Sequence, residues 1–291
     1  MPWVDTVVQG VLLGGLYALF ATGLSLIFGV MRIVNLAHGD LSILAAFLAV
    51  VVVEQLGLNP FLALALVVPL MAALGFLLQT LVLNRLLGRG ILPPILVTFG
   101  LSIVIQNALL EIFSADSRRL NPGGIETASL SLGGGLAVGW FSLLTLVVAI
   151  LLLGGLEILI GRTAIGRAFR ATSDDGVTAA LMGIDTRRVH GLAMGLSLAI
   201  VAVAGIFLGI RTTFTFSSGP DRLLFAFEAV IIGGLGSLWG TLVGGIVLGV
   251  AQTVGARLSP GWGVLSGHLV FLAVLLLRPS GLFAPSRRVD S

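Results

Sequence analysis

Val7-Val-Gln-Gly-Val-Leu-Leu-Gly-Gly-Leu-Tyr-Ala-Leu-Phe-Ala-Thr-Gly-Leu-Ser-Leu-Ile-Phe-Gly-Val30 carries no charged side chain from end to end. Coiled at 1.5 Å per residue it makes a helix about 36 Å long, more than the roughly 30 Å hydrocarbon core of a bilayer. No basic segment precedes it and no small-residue cleavage site follows it, so it reads as a retained membrane span and not as a removable leader. The rest of the chain has the same character. Of 291 residues, 57% are hydrophobic and 10% charged, where a soluble protein carries about 25% charged. A mean hydropathy of +1.13 leaves too little polar surface for a water-soluble fold. The reading is an all-α, polytopic transmembrane helical bundle of about eight to nine spans, filling 1–291 as a single membrane domain.

Further apolar runs cover Gly39 to Leu56, Phe61 to Leu83, Leu92 to Phe113, Leu136 to Ile160 and Val189 to Ile210. The stretch Leu223 to Ala256 is too long for one span and is interrupted by Gly233-Gly-Leu-Gly-Ser-Leu-Trp-Gly240, which predicts two shorter helices around a broken or re-entrant glycine-rich segment. A last run ends at Arg278, which makes nine crossings. Arginine placement tests the count. With the 161–188 loop inside, nine crossings put Arg32, Arg85, Arg89, Arg162, Arg167, Arg170, Arg187, Arg188, Arg278, Arg287 and Arg288 inside and five arginines outside; a single crossing over Leu223 to Ala256 gives only 9 to 7. The positive-inside rule therefore favours nine, with the N-terminus outside. Short re-entrant helices would make it eight.

What is missing excludes several functions. There is no cysteine, hence no disulfide, thiolate metal site or cysteine nucleophile. Every one of the 16 basic residues is arginine, so a phosphate-loop lysine is impossible, and any ATP that drives this protein is hydrolysed by another subunit. The pI near 10.9 reflects arginines scattered at the ends of apolar runs, with no contiguous stripe to bind nucleic acid.

One connection is long and polar: Gly161 to Arg188, 28 residues with five arginines and three aspartates. Within it, Thr172-Ser-Asp-Asp175 reads as a capping box opening a short helix that Gly183 closes. Its body includes Ala179, Ala180 and Leu181, a small apolar face on a segment expected in water. Such a helix suits a groove on a partner protein, or equally the lipid headgroups.

The segment Gly166-Arg-Ala-Phe-Arg-Ala-Thr-Ser-Asp-Asp-Gly-Val-Thr-Ala-Ala-Leu-Met-Gly-Ile-Asp-Thr186 resembles the coupling loop of the membrane subunits of branched-chain amino acid type ABC importers. Asn35-Leu-Ala-His-Gly-Asp40, Ala226-Phe-Glu-Ala-Val-Ile-Ile-Gly-Gly-Leu-Gly-Ser-Leu-Trp-Gly240 and Arg278-Pro-Ser-Gly-Leu282 resemble other segments of that family, in the same order along nearly the whole chain. Where many members have a lysine before the Ala-Phe pair this chain has Phe225, and where they have a small residue after it, Glu228. The resemblance implies a permease subunit without catalysis or cofactor of its own, in the bacterial inner membrane. Its partners would be a second permease subunit, as a heterodimer or a homodimer, two ATPase subunits and a periplasmic solute-binding protein. Its coupling residues would be Arg170, Asp174, Asp175, Ala179, Ala180, Leu181 and Gly183. The solute would be a branched-chain amino acid or a related amide, urea or aromatic acid.

Polar residues inside the apolar runs are the candidates for the solute path. Asn35, His38 and Asp40 gather where the first span turns into the second, serving either as a solute contact or as caps of the second helix. Thr98, Ser102 and Gln106 share one face of the fourth run, lining a pathway or bonding a neighbouring helix. Glu228 needs protein, water or an arginine around it, since a carboxylate at mid-bilayer costs about 2.5 kcal/mol or more; Arg222 and Arg211 are the nearest cations in sequence, and solute selectivity is the alternative to an ion pair. Two other functions compete with the permease. An ion-coupled secondary transporter or channel would use Glu228 or Asp40 as its proton site, but has no need of the loop helix. An intramembrane hydrolase would need more than the Gly-x-Ser triplets present, and no His-Glu-x-x-His zinc motif occurs.

Overall fold

The computed structural model describes residues 2–88, 90, 92–133 and 136–283. Among them are eleven α-helices: α1 (Pro2–Met31), α2 (His38–Leu56), α3 (Pro60–Leu81), α4 (Leu92–Phe113), α5 (Trp140–Arg162), α6 (Ala164–Asp174), α7 (Gly176–Leu181), α8 (Thr186–Arg211), α9 (Gly219–Gly233), α10 (Leu238–Leu258) and α11 (Trp262–Leu277). One antiparallel hairpin, β1 (Ser129–Gly133) and β2 (Leu136–Gly139), precedes α5. The expected span from Leu136 therefore begins four residues later, at Trp140, because the Gly-flanked tetrad pairs with β1. Seven helices are long and apolar enough to cross a bilayer: α1 to α5, α8 and α10. α9 and α11, of 15 and 16 residues, are shorter than the roughly 20 a full crossing takes.

Two connections explain how short helices complete the bundle. His38, the first residue of α2, bonds the carbonyl of Phe20, which lies about 16 Å back from the end of α1. Residues 32–37 thus run back into the bundle as non-helical backbone before α2 starts, and Arg32 makes the reversal with a left-handed φ of 54°. Non-helical backbone at membrane depth is tolerated only inside protein or along a water-filled path; Ile33, Asn35 and Ala37 are buried. After α8 the segment 212–218 does the same from the other side, bridged to Arg118 through Phe214, and α9 starts against α2, with Gly39 and Gly219 in backbone contact.

The helices of the two halves of the chain are packed in matching, inverted patterns. α1 lies antiparallel to α8, with Gly23 beside Ser197 and Val30 near Val189; α10 packs on α1 as α3 packs on α8, and α11 sits on α9 as α4 sits on α2. Gly39 and Phe47 of α2 correspond to Gly219 and Phe227 of α9, the same distance apart in sequence. Counted this way the chain passes nine times between the ends of the bundle, two of the passes completed by non-helical backbone. After α11, Leu282 and Phe283 lie beside the α9–α10 turn, where their amides donate to the Ile232 and Gly233 carbonyls. The expected inside placement of Arg89, Arg287 and Arg288 lies outside the described residues.

The predicted break in Leu223 to Ala256 is present as the turn 234–237. It sits at the end of the bundle that carries α6, with Gly236 beside Gly29 of α1. It is a tight hairpin between α9 and α10, and the glycines serve close packing: Gly244 lies on α9, and Gly245 and Gly249 on α1. The unwound backbone at membrane depth belongs to 32–37 and 212–218 instead.

Candidate functional site

Asp40 lies in the first turn of α2 and is 1% exposed. Its Oδ2 accepts the hydroxyl of Ser102 on α4 at 2.5 Å, and Ser102 Oγ in turn accepts from Gln106 Nε2 at 3.2 Å. One turn earlier on α4, Thr98 Oγ1 accepts the backbone amide of Leu36 at 3.2 Å. The polar face predicted for α4 therefore meets the polar junction predicted before α2, two segments that the sequence left separate. Asn35 Oδ1 accepts the amide of Ala37 at 3.0 Å, and His38 Nε2 donates to Phe20 at 2.9 Å. Neither His38 nor Asp40 caps α2, whose N-cap position is Ala37 and which has no side-chain cap. Asp40 Oδ1, Asn35 Nδ2 and His38 Nδ1 are buried with no protein partner, so the centre combines an acceptor with a donor that nothing within the chain satisfies.

The N-terminal ends of α2 and α9 meet here. Each presents backbone amides and the positive end of its dipole toward the middle of the bundle, while the Asp40 carboxyl lies against Gly219. A buried carboxylate costs about 2.5 kcal/mol or more at mid-bilayer, against about 1.5–3 kcal/mol for one hydrogen bond to a charged group. Ser102 offsets that cost but leaves the second oxygen free.

Glu228 is not part of this centre. It sits on α9, 1% exposed, and bonds His268 Nδ1 on α11 at 2.5 Å. The expected pairing with Arg222 or Arg211 is not formed: Arg222 lies over the Phe225 ring at 5.8 Å, and the side-chain partner of Glu228 among the described residues is His268. The same pocket holds Tyr17, which donates to Gln252 Oε1 at 2.5 Å, and Phe225, stacked on His268. Sequence reading missed His268 because helical spacing says nothing of a contact 40 residues away. α2 and α9 thus each carry one buried acid that bonds a neighbouring helix, Asp40 to α4 and Glu228 to α11, although the two acids stand at different positions along their helices.

The polar loop holds two helices, not one. Asp175 caps α7 itself, its Oδ1 accepting from Val177 and Thr178 amides at 2.9 and 3.0 Å. The Thr178 hydroxyl, with its amide, holds the Asp175 carboxyl below the usual range. Thr172, expected as the cap, is buried inside α6. Gly183 closes α7 as predicted, with φ 86° and the paired bonds Gly183 to Ala180 and Ile184 to Ala179 of a left-handed helix end. The expected apolar face needs rotating: Ala179 is 4% exposed, whereas Val177, Leu181 and Met182 are 75%, 82% and 79% exposed, with Ala180 beside them. Ala179 points inward because α7 packs back on α6 and α8. Arg170 is engaged within the chain, donating to the Ile160 carbonyl at the end of α5; Asp174 is exposed at the end of α6.

A bundle of apolar helices packed in matching, inverted patterns, with the N-termini of α2 and α9 meeting at a polar centre and a loop helix presenting bare apolar side chains at one end, is the architecture of a membrane translocator. The family comparison is specific. Residues 6–277 match the family model described as branched-chain amino acid transport system / permease component, and the chain belongs to that family. It is 30% identical to the high-affinity branched-chain amino acid transport system permease protein BraD of Pseudomonas aeruginosa, over 96% of this chain and 95% of that one. It is 29% identical to the permease protein LivH of Salmonella typhimurium, over 94% and 93%, and 26% identical to LivM of Escherichia coli, over 94% of this chain and 68% of that one. A solved structure titled PsaBC from Streptococcus pneumoniae in complex with Fab is a looser likeness, at 17% identity and a TM-score of 0.48 over 94% of this chain and 91% of that one.

Proposed function

We propose that this chain is the translocation subunit of an ATP-driven importer for branched-chain amino acids or a closely related small solute, in the inner membrane of a bacterium. The observation that carries the reading is the meeting of the α2 and α9 N-termini around Asp40 in a member of this family. An amino acid is a zwitterion: helix N-termini suit its carboxylate and a free carboxylate oxygen suits its ammonium. In this reading Asn35, His38, Asp40, Thr98, Ser102 and Gln106 line the solute path, and Glu228 holds α9 to α11. The similarity to both LivH and LivM, each named as a permease of the same kind of system, supports a second, related permease as partner. ATP hydrolysis belongs to two ATPase subunits docked on α7 through Val177, Ala180, Leu181 and Met182, with Asp174, Asp175 and Gly183 setting the helix ends; a periplasmic binding protein delivers the solute at the opposite face.

The test is a solute panel. In proteoliposomes holding the complete complex, ATP-dependent uptake of labelled leucine should be competed by isoleucine and valine and not by urea or short amides. Competition by urea or amides alone would move the substrate class while leaving the permease reading intact.

A further inference from the structure

Between the loop that would receive an ATPase and the polar centre there is one continuous mechanical route. α6 is fixed to the bundle on its inner side by Phe169, 2% exposed among Leu26, Val30, Leu156 and Val189, and at its end by Ser173, whose hydroxyl donates to the carbonyl of Gly29 at 2.6 Å. Gly29 is in the last turn of α1. Arg32 then reverses the chain at φ 54°, and its guanidinium donates back to the Ser173 carbonyl at 3.5 Å. The next residues are the segment 33–37, with Ile33, Asn35 and Ala37 buried, which leads into His38 at the start of α2. A cavity of about 500 Å³, lined by Arg32, Gly88, Thr172, Ser173, Val177 and His190 among others, lies directly beside this contact. The Ser173–Gly29 bond is therefore at the edge of open space, into which α7 has room to move.

We propose that Ser173 is a positioning residue for transport: its bond to Gly29 transmits movement of the coupling helices to the end of α1, and through the Arg32 reversal to the α2 N-terminus. The inference rests on the permease reading above. A left-handed φ at a non-glycine residue is a locally unfavourable conformation that its surroundings must hold. The Ser173 hydroxyl bond to Gly29 and the Arg32 bond to the Ser173 carbonyl are the contacts that tie this reversal to α6, and Ser173→Ala removes the first of them.

The experiment uses the purified complex with its ATPase subunits in proteoliposomes, measuring solute uptake and ATP hydrolysis in the same preparation. Ser173→Ala should lower the uptake-to-hydrolysis ratio at least fivefold with hydrolysis within twofold of the parent, and Ser173→Thr, which keeps the hydroxyl, should restore most of the ratio. An unchanged ratio in Ser173→Ala, or a parallel loss of uptake, hydrolysis and bound ATPase, overturns the proposal, the second result making Ser173 a docking or folding residue. Parent complex that takes up solute without ATP overturns the permease reading instead, and so is told apart from failure of the latch.

Discussion

Asp40 is the residue on which the polar centre turns. Asp40→Asn keeps the size and the Ser102 contact but removes the charge, and uptake should fall roughly tenfold or more with the protein still present in the membrane at parent levels. Gly39 presents a different test. A Cβ there would overlap the carbonyl of Gly219, and overpacking of this kind costs about 1–3 kcal/mol. Gly39→Ala should therefore lower the melting midpoint of the detergent-solubilised protein as well as transport, whereas Asp40→Asn should leave the midpoint close to that of the parent. For Glu228 the pairing with His268 predicts an asymmetry: Glu228→Gln retains a hydrogen bond and should alter solute affinity little, while His268→Ala strands a buried carboxylate and should reduce the folded fraction in a thermal-stability assay. A large affinity change in Glu228→Gln would return that acid to the solute path.

At the scale of elements, α7 makes the sharpest prediction. Leu181→Arg places a charge on the bare face and should abolish ATP-coupled uptake while the chain still folds; Ala179→Arg buries one against α6 and α8 and should deplete the protein from the membrane. Equal behaviour of the two in uptake and abundance assays would contradict the face assigned here. The elements also show what sequence could reveal. Apolar length alone located α2 and α4 to within a residue, since a span has a physical minimum. The glycine cluster gave the α9–α10 turn for the same reason. The orientation of α7 was not legible, because six residues make less than two turns and the buried side is chosen by where α6 docks. Nor was the meeting of Asp40 with Ser102, since each segment was amphipathic by itself and only the tertiary fold pairs them.

For the whole molecule, the re-entrant connections decide the architecture, and their sequence trace is faint. Residues 32–37 and 212–218 look like ordinary loops, and the repeat that relates them survives mainly as Gly39 and Phe47 against Gly219 and Phe227. Nine passes among the described residues put the start of α1 and the end of α11 on opposite faces, which the absence of cysteine makes simple to test. Single cysteines introduced as Ser117→Cys and Thr178→Cys should react with an impermeant maleimide from opposite sides of sealed vesicles. Labelling of both from one side would overturn the topology.

The most direct measurement of the central claim is solute uptake by the reconstituted complex, with ATP trapped inside the vesicles in one arm and an imposed proton gradient without ATP in the other. The account predicts uptake that requires ATP and the binding protein and is indifferent to the gradient. Uptake by this chain alone, driven by the gradient, would contradict it and would make the buried Glu228–His268 pair the site of proton coupling.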